Sequence, residues 1–357
     1  MKRCGGSHSF AQLWHNTANR LQTCTPGRTS AAYLTDRGDS TLPNRFQQFF
    51  ARMPASAWIL LLVLVAWIFY AGIATGGFDI PIERLPWSIL VPGFALFTFT
   101  HSVVMLGWAR ALVLLALCTC LSFVAEFVGQ KTGLIFGPYY YTNLLGPKLF
   151  GTIPVLIPFA WYMMFYPSYV VTNLLAEGKP VGEENGTAWL LWVSALSALV
   201  MTAWDLTMDP IMSFHPCHTG SIACLPAVLD ENVIGHPAWV WVNGGEHFGV
   251  PLLNYRGWMI TAFVVFLTYR LIERRIAHQP WRGGHTKLIA FLPVGAFGLM
   301  ALVDTWLGNP KVGDIHLISP FAMGIPALFA GFILFARNPD LPLWPHHDAR
   351  ESANSLV

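Results

Sequence analysis

The sequence contains few charged residues. Asp, Glu, Lys and Arg make up only 11% of its 357 residues, whereas 54% are hydrophobic. A soluble globular domain carries about 25% charged residues. Its apolar residues are also spaced by the period of its helices and strands, whereas here they form long runs. This composition excludes a soluble fold.

Concentrated charge of one sign is also missing. The formal net charge is +2, and the basic residues lie between apolar segments. A nucleic-acid-binding domain gathers its Lys and Arg residues on one face. We therefore expect no nucleic-acid partner.

Cysteine is too scarce for a dense disulfide framework. Of the six cysteines, Cys118 and Cys120 lie in an apolar run and are expected to be packing residues. Cys217 and Cys224 share a loop that is predicted to face outward, where a disulfide can persist. Histidines in the same region lack the paired spacing of zinc ligands, so no metal site is expected. These histidines are His215, His218 and His236.

The N-terminus lacks the apolar core of a secretory signal. Residues 1–52 are polar and rich in Ser, Thr, Gly and Asn, which predicts a disordered cytoplasmic extension. The rest of the chain is predicted to divide into a transmembrane domain, residues 53–337, and a cytoplasmic C-terminal tail, residues 338–357.

Long apolar runs, in contrast, are abundant. About 20 apolar residues form a helix that crosses the hydrocarbon core of a bilayer. We predict an all-α fold, a polytopic transmembrane helical bundle of about eight spans. Seven is the alternative, because Pro86 and Pro92 interrupt the second span and only a tight turn near Arg110 separates it from the third. The predicted spans are Ala57–Ala74, Leu85–Trp108, Ala111–Val128, Ile153–Leu175, Thr187–Leu206, Gly257–Ile272, Thr286–Trp306 and His316–Phe335.

The basic residues predict the orientation, because Lys and Arg favour cytoplasmic loops. With the N-terminus inside, all but five of the 21 basic residues fall on cytoplasmic segments. Both termini are therefore predicted to be cytoplasmic, in a multi-pass protein of the inner (cytoplasmic) membrane. The five exceptions are Arg84, Lys131, Lys148, Arg256 and Lys311.

Acidic residues within membrane spans are costly unless they are paired or face a wet cavity. Glu126 lies near the end of the third predicted span. Asp205 and Asp209 are four residues apart, which places them on one face of a helix. Pro210 biases Asp209 away from helical geometry, so the pair is predicted to lie at the helix end. Asp304 is expected to face water at its own helix end.

Two unusual loops follow these acids. The segments 126–161 and 239–258 combine glycines, which permit close backbone approach, with aromatic residues that provide rigid walls. They join spans three to four and five to six, so they emerge on the same membrane face. We therefore predict structured loops and a single pocket on which the acids converge. For any single aromatic residue, membership of an interfacial belt is the alternative interpretation.

The motifs of this region form a specific set. They comprise Glu126, Gly129, Thr132–Gly133, Phe136–Gly137, Tyr139, Ile157–Pro158, Trp161, Asp205, Asp209–Pro210, Trp239, Trp241, Gly245, Gly249–Pro251, Asn254 and Gly257–Trp258. As a set they resemble the carotenoid biosynthesis family that contains the CruF-type carotenoid 1,2-hydratases. The chain departs from that pattern at His247, where an aromatic residue is usual, and in a longer connection between Asp209 and Trp239.

The resemblance implies the addition of water across the terminal C1=C2 double bond of an acyclic carotenoid, which gives a tertiary hydroxyl. That reaction needs an acid that keeps its proton near neutral pH and then delivers it to the alkene. Asp205 or Asp209 is the expected proton donor, and Glu126 is expected to orient water or complete a proton relay. The residues alone do not rank the three acids.

A carbocation in an apolar pocket is stabilised by aromatic faces. Substrate-binding candidates are Tyr139, Trp161, Trp204, Trp241, Glu246 and Asn254. No cofactor or metal is needed in this scheme. The expected partners are a membrane-embedded carotenoid, the lipid bilayer and a downstream carotenoid glycosyltransferase.

Two other classes of function remain open. A carotenoid end-group cyclase or isomerase would use the same protonation without adding water. A transporter or a non-catalytic pigment-binding protein is the other alternative. Transporters often contain internal repeats and broken helices at the midplane, and the segment around Glu126 has no convincing repeat in the second half of the chain.

Overall fold

The computed structural model describes residues 87–182, 186–213, 237–279, 286–302 and 315–343, with the isolated positions 58, 62, 65 and 66. All of them belong to one compact unit, Phe46–Val357. Several predictions fall outside the described residues. They concern the N-terminal extension, most of the first span, most of the C-terminal tail, Asp304, and the loop with Cys217, Cys224, His215, His218 and His236.

The described part of the chain is mainly helical. Its helices are α1 (Trp87–Leu106), α2 (Trp108–Thr132), α3 (Leu156–Glu177), α4 (Thr187–Met212), α5 (Leu252–Glu273), α6 (Lys287–Leu302) and α7 (Ile315–Arg337). The strands are β1 (Tyr139–Tyr141), β2 (Lys148–Leu149), β3 (Ile153–Pro154) and β4 (Trp239–Trp241). Each predicted span after the first overlaps one of these helices, so the prediction of a mainly helical membrane protein is confirmed.

Three of the described helices, α2, α4 and α7, are long and apolar enough to cross a membrane. Helix α6 and the segment Val91–Leu106 of α1 are apolar but shorter. The predicted number of spans is therefore not confirmed, and it stays a prediction.

Helix α3 forms the centre of the bundle. Every residue from Trp161 to Leu174 is buried, and α3 contacts α1, α2, α4, α6 and α7. A helix that is apolar and buried all round belongs in a core. Helices α4 and α5 pack along each other beside it.

The outer surface of the bundle is apolar. On α7, Leu328 is 75% exposed, and Phe321 and Phe332 are each 69% exposed. Large apolar side chains on a contiguous exposed surface indicate contact with another apolar phase. In a chain with long apolar helices, that phase is the hydrocarbon of a bilayer.

The turn between the second and third predicted spans lies close to its predicted position. Helices α1 and α2 are separated at Gly107, three residues before Arg110, and Gly107 has a positive φ of 86°. Pro92 lies inside α1 without ending it. Proline removes one hydrogen bond of a helix, and membrane helices tolerate this loss when neighbouring groups compensate.

Glycine allows the first loop to pack against the helices. A Cβ atom at Gly257 of α5 would lie 2.5 Å from the carbonyl oxygen of Ile135 and from the ring of Phe136. On the opposite side, a Cβ atom at Gly129 of α2 would lie 2.5 Å from the same ring. Phe136 therefore lies between α2 and α5, and both helices need glycine at this contact because a Cβ atom would overlap with the ring.

We predict that Gly257→Ala lowers the thermal unfolding temperature of the purified full chain in detergent. The methyl group forces the Ile135 backbone away, and overpacking of this kind costs about 1–3 kcal/mol. Gly93→Ala is the matched control, because a Cβ atom there meets nothing within 4 Å. Equal unfolding temperatures for both variants would contradict the proposed packing.

Candidate active site

The two glycine-rich loops meet in a short antiparallel sheet. Strand β1 of the first loop pairs with β4 of the second, with Tyr139 opposite Trp241 and Tyr141 opposite Trp239. Side chains alternate between the two faces of a strand, so these four aromatic residues share one face. The loops therefore lie together, as predicted from their common membrane face.

The Glu126 carboxyl group is surrounded by aromatic hydrogen-bond donors. It lies near the end of α2 and is 4% exposed. Its Oε2 atom accepts a hydrogen bond from the Tyr141 hydroxyl at 2.8 Å and another from the Tyr139 hydroxyl. Its Oε1 atom accepts the indole N–H of Trp161 at 2.9 Å. Both oxygens of this buried carboxyl group thus have partners.

The Asp209 carboxyl group is the second centre of the cluster. Its Oδ1 atom accepts the indole N–H groups of Trp239 and Trp241 at 2.8 and 3.0 Å. Its Oδ2 atom accepts the Nδ2–H of Asn254 at 2.7 Å. Three N–H groups therefore point at one carboxyl group that is 2% exposed.

Asp205 lies one turn earlier on α4 and is equally buried. Its Oδ2 atom accepts a hydrogen bond from the same Asn254 nitrogen at 2.8 Å. The predicted pairing of the two aspartates on one helix face is thus present, and Asn254 of α5 bridges them.

Aromatic rings connect the glutamate to the aspartate pair. The rings of Tyr139 and Trp241 lie 5.0 Å apart. Trp161 stacks on Trp258 with a centroid distance of 3.7 Å, and Trp204 contacts Trp258 edge-on at 5.8 Å. The three acids therefore belong to one site with aromatic walls.

The tyrosines of β1 remain hydrogen-bond donors over a wide pH range. Burial raises the pKa of the Tyr139 and Tyr141 phenols well above their ordinary value, and the neighbouring Glu126 carboxyl group raises them further. Both phenols therefore keep the protons that they donate to Glu126.

The structure corrects the prediction for Pro210. Asp209 is helical, because α4 continues through Pro210 and ends at Met212, three residues after Asp209, so the pair lies in the last two turns of the helix. Proline has no N–H to donate to the carbonyl group of Leu206, four residues earlier. His247 Nε2 donates a hydrogen bond to that carbonyl oxygen instead, at 2.9 Å. The residue that departs from the family pattern thus compensates for the proline.

One predicted residue lies apart from the acidic cluster. Glu246 is exposed, and its Oε2 atom accepts the backbone N–H of Leu252 at the first residue of α5, at 3.3 Å. Its contact with the start of a helix is the arrangement that favours a negative charge there. The other predicted residues surround the acids.

Four residues of the site were not among the predicted catalytic or substrate-binding residues, although Trp239 and Trp258 belong to the motif set. Tyr141 and Trp239 donate hydrogen bonds to the acids, and Trp258 stacks on Trp161. The alternation of side chains on a strand would have paired the first two with Tyr139 and Trp241. The fourth is Tyr255, whose buried hydroxyl has no partner among the described residues and lies within the electrostatic influence of both aspartates.

A further buried acid was also missed, and it has different surroundings. Glu273, at the end of α5, accepts the Tyr169 hydroxyl at 2.6 Å and lies 3.5 Å from the guanidinium group of Arg110. Its position three residues after Arg270 was the available signal. Within the described part of the chain, no salt bridge reaches Glu126, Asp205 or Asp209. Among the buried acids of the described residues, only those beneath the two loops therefore lack a Lys or Arg partner.

Metal ligation has no candidate in this part of the chain. Among the described residues, no group of three or more His, Cys, Asp or Glu side chains is arranged to hold a metal ion. The chemistry available to the described site is that of carboxyl groups, phenols, indoles and an amide.

The fold and the site define a helical membrane protein with a buried, aromatic-lined cluster of carboxyl groups. Residues 86–217 and 221–316 match the model of the family described as "Carotenoid biosynthesis protein". The chain belongs to this family. No solved structure matches it.

A curated relative is the bisanhydrobacterioruberin hydratase of Haloarcula japonica. The chain is 26% identical to it over 216 residues, which cover 56% of this chain and 63% of the relative. The chain thus spans less than two thirds of the length of this relative.

We predict that Glu126→Leu lowers the stability of the full chain much more than Glu126→Gln. Leucine leaves the donors of Tyr141 and Trp161 without an acceptor, at a cost of about 1–3 kcal/mol for each buried group, and Tyr139 keeps only a contact at 3.5 Å with the backbone carbonyl oxygen of residue 126. The amide oxygen of glutamine can still accept. Thermal unfolding in detergent measures the difference, and a smaller loss for leucine would contradict these hydrogen bonds.

Proposed function

We propose that the protein adds water to the terminal C1=C2 double bond of an acyclic carotenoid end group, as a carotenoid 1,2-hydratase. The observation that carries the proposal is the buried cluster of three carboxyl groups without a Lys or Arg partner among the described residues. Membership of the carotenoid biosynthesis family supports the class of substrate. The name of the distant relative, a hydratase, supports the class of reaction.

The reaction proceeds by protonation of the double bond followed by addition of water. A protonated aspartate donates its proton to C2, and the π electrons of the double bond form the new C–H bond. The resulting cation at C1 is tertiary. A water molecule then forms the C–O bond at C1, and its extra proton passes to a carboxylate. Return of that proton to the donor regenerates the enzyme, so the net change is the addition of one water and no cofactor is consumed.

The aromatic walls suit the charge that develops at C1. Cations are attracted to the faces of Trp and Tyr rings, more strongly when water is excluded. Trp161 and Trp258 form a stacked pair beside Trp204, and Tyr139 contacts Trp241. These rings bind the apolar end group and stabilise the cation, while Glu126 orients the attacking water.

The membrane arrangement proposed with this function has about eight spans, with both termini in the cytoplasm. The acids then lie near the outer face of the inner membrane, where water is available. The carotenoid stays in the bilayer and inserts one end group beneath the loops. Its tertiary hydroxyl is a suitable acceptor for a downstream glycosyltransferase.

We predict that the full chain, expressed in a bacterium that accumulates lycopene, produces pigments heavier than lycopene by one or two waters. Mass analysis of the extracted pigments checks this. Products of unchanged mass but altered chromatographic mobility would instead indicate a cyclase or an isomerase. Lycopene retained by the purified protein without any product would favour a pigment-binding protein.

We further predict that Asp205→Asn, Asp209→Asn and Glu126→Gln each reduce hydration in this host. Removal of a general acid or base costs about 100-fold to 10,000-fold in rate. Glu177→Gln is the matched control, since Glu177 ends α3 and accepts a hydrogen bond from Trp189. Full hydration by all three variants would exclude these acids from the reaction.

A further inference from the structure

The two aspartates have unequal hydrogen-bond environments. Asp209 accepts three N–H groups, two at Oδ1 and one at Oδ2. The described contacts of Asp205 provide one N–H group, at Oδ2. Both side chains are 2% exposed, so burial does not distinguish them.

The indole groups indicate which of the two aspartates carries the negative charge. An indole N–H donates and never accepts, so Oδ1 of Asp209, which faces two of them, is an acceptor. Three donors on one carboxyl group stabilise its charged form. A carboxyl group with fewer donors favours the protonated form, because its charged form is stabilised less. Asp205 has fewer donors than Asp209.

Asn254 links the two groups. One nitrogen donates to both carboxyl groups, and only the NH₂ end of an amide carries two donors. The orientation of the amide therefore follows from its partners. Two negative charges within reach of one nitrogen and shielded from water repel strongly, so the pair favours one shared charge and one proton.

We propose that Asp205 carries the proton that is transferred to the carotenoid, that Asp209 remains a carboxylate, and that Asn254 is the positioning residue for both. This assignment rests on the proposed hydration and divides roles that the sequence left open. Asp205 gives its proton to C2, and the proton released by water returns to Asp205, directly or through Asp209. Asp209 thus supplies the negative charge that keeps the proton on its neighbour.

The test combines turnover with infrared spectroscopy of the purified full chain in lipid vesicles. The C=O stretching band of a protonated carboxyl group reports where the proton resides and requires no substrate. We expect Asp205→Asn to lose this band and about 100-fold or more of the lycopene hydration rate. Asp205→Glu restores part of both. Asp209→Asn removes the charge that holds the proton on Asp205, so we expect a weakened band and a smaller loss of activity.

Asn254→Ala tests the positioning role. We expect a lower hydration rate with unchanged retention of lycopene, together with a shifted carboxyl band. Asn338→Ala is the matched control, because Asn338 donates to the carbonyl oxygen of Gly178 after the end of α3. This variant is expected to match the wild type in rate and spectrum.

Two outcomes overturn the assignment. One is an Asp205→Asn spectrum that retains every carboxyl band of the wild type, because buried Glu126 and Glu273 can contribute bands of their own but Asp205 must account for at least one. The other is a variant Asp209→Asn that is inactive while Asp205→Asn still hydrates. A different outcome contradicts the proposed function: a wild-type chain that hydrates no acyclic carotenoid. In that case the infrared spectra still show which aspartate carries the proton.

Discussion

A carboxyl group that is buried away from water needs hydrogen-bond donors from the protein, and the two glycine-rich loops of this bundle provide them. The donors are mostly aromatic N–H and O–H groups, which also provide apolar walls. Supplying them requires β1 to pair with β4, because that register places both tyrosines and both tryptophans on one face. The register in turn requires the first loop to pack closely on α2 and α5, which glycine at positions 129 and 257 allows.

Buried carboxyl groups are stabilised differently at the two ends of the bundle. At one end, Glu273 is stabilised by Arg110 and Tyr169, an ion pair reinforced by a hydroxyl group. Such pairing fixes the charge and favours a structural role. At the other end, the donors to the three acids are neutral N–H and O–H groups. Among the described residues, no guanidinium or ammonium group balances a negative charge on these acids. A proton can therefore reside there, which suits acid catalysis.

Hydropathy predicted the helices well because the membrane requires long apolar segments, and the shared face of the two loops followed from the parity of the spans. The spacing of Asp205 and Asp209 placed them together because residues four apart lie on one helix face. The bridge through Asn254 was not predictable, since it joins residues 45 and 49 positions apart. The continuation of α4 through Pro210 was also missed, because local preference for a break was overridden by a histidine 37 positions later in the chain.

His247 links the second loop to helix α4. The carbonyl group of Leu206 needs a donor only because Pro210 lacks one, and His247 supplies it from the second loop. A tyrosine hydroxyl is also a hydrogen-bond donor, so His247 and a tyrosine at this position share the ability to donate. Positions 210 and 247 are therefore expected to show epistasis: a change at one alters the effect of a change at the other.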